Sequence, residues 1–181
     1  MNCWKTINFN KQYGSQRLVM LSSLTMLIAF IVLYVPATFL FVTTSLYNQY
    51  FLLFLLCLWL LYPIHKLLHY IPIAHLGKNV KRIVYFKLRF FPIIEIRAVE
   101  PISKHLFLLS SMLPFFLINV TLIIGCFLFT HYVHYLTILL AMHIGLCVPD
   151  FIRTKNVLFA PRKAYIEENE EGFEILVYTA D

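Results

Sequence analysis

The chain has 181 residues, 60% of them hydrophobic and only 13% charged, with a formal charge of +6 and a mean hydropathy of +0.76. A soluble domain carries about 25% charged residues, so the composition argues for a membrane protein and against a soluble globular one. The positive balance suits basic loops on an anionic membrane face. No segment resembles a nucleic-acid module, so the expected partner is the lipid bilayer and not nucleic acid.

Residues 1–17 read as a basic N-terminus (Lys5, Lys11, Arg17). The apolar run that follows is too long for a signal-peptide core of about 7–15 residues and lacks a clear cleavage site. It reads as a retained span. Crossing the hydrocarbon core takes about 20 apolar residues as helix, and four segments qualify: about 18–46, with Pro36 as a kink; 50–71, ended by Pro72; 106–129; and 132–152. Short uncharged turns join the first span to the second and the third to the fourth, so each pair is expected as an antiparallel hairpin. The expected fold is an all-α, four-transmembrane-helix bundle over residues 18–152, with a small cytoplasmic β element and a cytoplasmic tail at 153–181.

The charges orient this bundle. Of 15 lysines and arginines, 14 fall in the N-terminus, the central loop 72–105 or the tail, and none in the two opposite turns. The positive-inside rule then places both termini and the central loop in the cytoplasm of a multi-pass cell-membrane protein. The fifteenth, Lys66, stands alone inside a span.

The central loop alternates apolar and basic residues at Phe86–Phe90 and again at Ile94–Arg97, which predicts a hairpin or interfacial ribbon. Two further strand-like pieces, Ala164–Ile166 and Phe173–Tyr178, flank a glutamate-rich turn. Their glutamates are expected to face Lys81, Arg82 or Lys87 of the loop. Four cysteines without C-x-x-C spacing read as reduced core residues.

Ionisable groups inside a membrane are costly and are functional candidates. The second span holds His65, Lys66 and His69, and the fourth holds His143 and Asp150. His65 and His69 are four residues apart and share a helix face, as a bidentate metal clamp requires. The same spacing opens the H-E-x-x-H motif, but a lysine occupies the glutamate's position. Asp150 is the one carboxylate near a span. Two histidines and a carboxylate form a usual catalytic zinc set. Without metal, Lys66 and Asp150 could instead neutralise each other as an ion pair. His75 reads as interfacial, His131 and His134 as solvated or headgroup contacts, His143 as a packing or hydrogen-bonding residue rather than a fourth ligand, and Cys147 as a packing residue. Asn119-Val120-Thr121 spells a glycosylation signal but lies within a span. Ser110, Ser111, Gly125 and Gly145 suit close helix packing.

His65-Lys66-Leu67-Leu68-His69, the loop with Gly77, Leu109–Pro114, Val148-Pro149-Asp150-Phe151 and the 164–172 tail occur in that order. Over about residues 60–178 the chain resembles a bacterial family of small multi-pass membrane zincin peptidases of otherwise unknown function. That family is similar in logic to site-2-type intramembrane metalloproteases. The resemblance implies zinc as cofactor, His65 and His69 as ligands, Asp150 as the third, and a catalytic glutamate where Lys66 stands. Three readings follow. The first is a zincin-like pseudoenzyme whose metal site faces the cytoplasm, impaired by Lys66 and binding a membrane client. The second is an active membrane metallopeptidase. The third is a metal-free structural or regulatory subunit held by Lys66 and Asp150.

Overall fold

A computed structural model describes residues 2–41, 45–74, 76, 80–87, 91–169 and 172–177. His75, Gly77, the 88–90 part of the basic alternation, Glu170, Glu171 and Tyr178 lie outside the described residues. The elements in chain order are β1 (Asn2–Asn8), α1 (Phe9–Gln12), α2 (Ser15–Leu40), α3 (Phe51–Ile73), β2 (Val80–Lys87), β3 (Phe91–Ala98), β4 (Ile102–Ser103), α4 (Lys104–Leu128), α5 (Val133–Leu146), α6 (Val148–Leu158), β5 (Ala164–Glu168) and β6 (Gly172–Val177). They fall into two compact units. A helical unit comprises Leu18–His65 and Pro114–Pro149, and a sheet unit comprises Met1–Arg17, Lys66–Leu113 and Asp150–Asp181.

Three helices, α2, α3 and α4, are long and apolar enough to cross a membrane. At 1.5 Å per residue, their 26, 23 and 25 residues exceed the roughly 30 Å hydrocarbon core. α2 is apolar all round, and side chains such as Met20 and Phe39 are more than two-thirds exposed. A helix of that kind needs an apolar surround. It ends at Leu40, short of the expected limit at residue 46. α3 continues through Pro72 to Ile73. Within the helical unit, Ala37, Cys126 and Val133 form a buried cluster. A Cβ on Gly145 would lie 2.8 Å from Met26 Cβ and 2.9 Å from the Ser22 carbonyl oxygen, so the missing side chain permits that approach. At one end of this unit Tyr47 stacks on His131, whose Nδ1 donates to the Ser45 carbonyl, 2.7 Å.

The fourth apolar stretch corrects the sequence expectation. It is not one helix over 132–152 but α5 and α6, broken at Cys147; four spans are reached only if this pair counts as one. Pro149 supplies the reason. It has no N–H for the Gly145 carbonyl, and its ring crowds that oxygen, yet it fits the first turn of a new helix. Asp150 therefore lies in the first turn of α6 rather than the last turn of a span. A carboxylate there complements the helix dipole.

The sheet unit is built on an antiparallel sheet of order β1-β6-β5-β4, with β2 and β3 as a separate hairpin. The hairpin and both tail strands match the alternation in the sequence. The edge strand β1 does not, because NCWKTIN has no clean period-two pattern. Ile7, Ile166, Phe173 and Ile175 are fully buried, and Phe107 packs on Phe173. A Cβ on Gly172 would collide with the Ile7 backbone carbonyl, so only glycine lets β1 lie against β6 there. Glu168 accepts from the Ala98 N–H, 3.2 Å, so this tail glutamate meets loop backbone. Lys104, expected as a loop charge, is buried. It donates to the carbonyls of Leu158, 2.9 Å, and Ala160, 2.6 Å, holding the C-terminal end of α6.

Candidate metal centre

In the sheet unit, the end of α3 meets the start of α4 through a reciprocal pair of bonds. His69 Nδ1 donates to the Ser110 carbonyl, 2.8 Å, and Ser110 Oγ donates to the His69 carbonyl, 2.5 Å. The next residue, Ser111, donates to the Asp150 carbonyl, 3.3 Å, and accepts from Thr154 Oγ1, 3.1 Å. Two adjacent serines on α4 thus hold the helices that carry the histidine and the carboxylate. His69 Nε2 faces Asp150 Oδ2 at 3.5 Å, with Asp150 95% buried at its side chain.

The tautomer follows from the partner. A carbonyl can only accept, so the hydrogen of a neutral His69 is on Nδ1 and Nε2 carries its lone pair. An imidazole lone pair and a carboxylate oxygen then oppose each other in a buried place. A proton or a metal between the two atoms would satisfy both. Two ligand atoms on one tetrahedral zinc would be about 3.4 Å apart, given Zn–N and Zn–O bonds of roughly 2.1 Å. The donor set fits a metal, and the Ser110 carbonyl is the kind of outer partner that fixes a metal-binding histidine.

Lys66, His69, Ser110, Asp150, Arg153 and Glu168 line a cavity of about 50 Å³. That is room for a few waters or the tip of a side chain. Lys66 thus shares the cavity with His69 and Asp150.

In the helical unit a second polar group lies wholly inside apolar helices. His65 Nδ1 and His143 Nε2 are 3.1 Å apart, and His143 Nδ1 is 2.7 Å from Asn119 Oδ1. His65 is 2% exposed, His143 0% and Asn119 6%. Cys147 Sγ lies beside the His143 ring, 3.9 Å from Nδ1 and 3.6 Å from Nε2.

The structure therefore brings His69, Asp150 and Lys66 to one cleft. His65 stands one turn before His69 on α3 and contacts His143. Sequence reasoning missed the roles of Ser110, Ser111 and Asn119, treating the serines as packing and Asn119 as a spurious glycosylation signal, whereas His143 is the hydrogen-bonding residue it was read as. The available signal was simple: a polar side chain in the middle of an apolar helix needs a partner. His131 likewise has a structural bond. Both ring nitrogens of His134 are buried and make no hydrogen bond among the described residues.

Residues 58–165 match the model of a family described as "Putative zincin peptidase". The match covers more than half the chain, and the chain belongs to that family. No curated protein and no solved structure matches it.

Proposed function

We propose that this member of the zincin peptidase family is a multi-pass membrane protein that binds zinc through His65, His69 and Asp150 and holds a membrane client without cutting it. The observation that carries the metal reading is the opposed pair of His69 Nε2 and Asp150 Oδ2. Helix periodicity supports His65 as the third ligand, since four residues on α3 return to the same face. The charge sorting of the sequence supports a site on the cytoplasmic side with both termini in the cytoplasm.

Bound zinc supplies Lewis acidity, which polarises a carbonyl group. The chain must supply the proton acceptor. In the H-E-x-x-H pattern that is the glutamate, and here Lys66 takes its place. A protonated lysine offers three donors and no acceptor. It can hydrogen-bond a peptide carbonyl but cannot take a proton from water. Lys66 beside Asp150 and Glu168 makes the cleft a place to hold a backbone segment. Ser110 and Ser111 keep it in shape.

The test is peptide hydrolysis by the detergent-purified chain and by Lys66→Glu. The wild type is expected to be inert, and Lys66→Glu to gain slow, chelator-sensitive cleavage. Chelator-sensitive cleavage by the wild type would overturn the client-holding reading. The opposed pair also admits a metal-free reading, in which a proton on His69 makes an ion pair with Asp150.

A further inference from the structure

We infer that Arg153 is the anion-binding residue of the cleft and takes a carboxylate of the client, either the free end of its chain or the tip of an acidic side chain. The inference rests on the reading of the cleft as a client-holding site. Arg153 stands three residues after Asp150 on α6, so the two are neighbours on the helix surface. Both line one cavity with His69, Ser110 and Glu168. The guanidinium lies over the Phe9 ring, 5.4 Å from its centroid. Phe9 is buried and packs against Phe173, with 6.1 Å between ring centroids, so this aromatic seat belongs to the core of the sheet unit.

A cation–π contact steadies the charge but offers no lone pair to the five N–H donors. Among the described residues no acceptor meets them, for Arg153 makes no hydrogen bond and no ion pair. Two carboxylates share the cavity, and neither pairs with it. Asp150 faces His69 at 3.5 Å, and Glu168 accepts from the Ala98 N–H, 3.2 Å. A half-buried arginine left unpaired beside two acids asks for an explanation, and a ligand supplies one.

The planar fork matches a carboxylate, with two N–H groups meeting two oxygens. Size agrees. The cavity of about 50 Å³ is the space of a few waters, which a carboxylate fills. A phosphate monoester also matches the fork, but it carries nearly two negative charges. The two acids of the cavity oppose it more strongly than a single carboxylate.

The experiment uses the full chain in detergent with phenanthroline, an uncharged chelator, so that no metal competes for the carboxylate. Phenylglyoxal modification of Arg153, read by mass spectrometry, tests the seat with the smallest probe. N-acetylglycine, which mimics a chain end, should slow it several-fold, and N-acetylglycinamide should not. A dansylated alanine–leucine peptide then tests the source. It is offered with a free carboxyl end, with that end amidated, and amidated but carrying one glutamate. At least one carboxylate form should bind about 10–100-fold tighter than the neutral amide, the margin of a charge-assisted bond. The form that does so identifies the source. Arg153→Gln should abolish the margin and leave the neutral peptide unchanged, and Arg153→Lys should keep only part of it, because the fork is gone. Equal binding of all three forms, or a margin that survives Arg153→Gln, would overturn the inference and leave the client reading standing. Protection by N-acetylglycine with no peptide bound would support the seat and overturn the holding of a client. Labelling needs no variant, so it decides the seat even if Arg153→Gln fails to fold. Equal labelling beside N-acetylglycine and its amide would overturn the seat. Equal protection by inorganic phosphate would overturn the assignment to a carboxylate.

Discussion

Asp150→Asn separates the two cations that could lie between His69 and Asp150. The substitution keeps shape and replaces an oxygen acceptor with an N–H donor. Without metal, that donor meets the Nε2 lone pair at the present 3.5 Å separation, which small adjustment would shorten. A neutral hydrogen bond contributes about 1 kcal/mol. The charge lost from the first turn of α6 costs about 0.3–1 kcal/mol. The metal-free variant should therefore unfold within about 1 kcal/mol of the wild type. If His69 were instead an imidazolium paired with Asp150, removing one buried partner would cost about 3–5 kcal/mol. Zinc adds a second arm. At a concentration one hundred times its Kd, zinc stabilises the wild type by about 2.7 kcal/mol, and the variant should show almost none of that gain. The assay is thermal unfolding in detergent by circular dichroism, with and without zinc. A metal-free Asp150→Asn that melts far below the wild type, or one that keeps the full zinc gain, would refute the reasoning.

Lys104→Met keeps the apolar stem but leaves the Leu158 and Ala160 carbonyls without their charged donor. A loss of about 2–3 kcal/mol in denaturant unfolding is expected, and an unchanged midpoint would show that the bonds contribute nothing. Gly172→Ala drives a Cβ into the Ile7 carbonyl and should cost about 1–3 kcal/mol, read as faster proteolysis of the N-terminal strand. Resistance equal to the wild type would mean that β1 is not held against β6.

Much of the architecture was legible because apolar length is a strong signal. The long α2, α3 and α4 helices follow from apolar runs that exceed a bilayer thickness, and the β2–β3 and β5–β6 strands follow from period-two alternation. The break at Cys147 was hidden because hydropathy runs continuously through it. Only Pro149 marks it, and a proline within an apolar run can equally sit inside a long apolar helix, as Pro36 and Pro114 do. The hydrogen-bonded partners of the site were less legible still. His65, His69 and Asp150 announce themselves by residue type and spacing. Ser110 acts on His69 through its backbone carbonyl, which no residue type encodes. Asn119 and His143 meet His65 only once three separate helices pack. β1 was missed because its place at the sheet edge depends on a glycine more than 160 residues away, Gly172.

The most direct test of the central claim is the zinc content of the detergent-purified chain, prepared without chelator beside His69→Ala and Asp150→Ala. The account predicts close to one zinc per wild-type chain and loss of it in both variants. A wild type without zinc, or zinc retained in both variants, would contradict it.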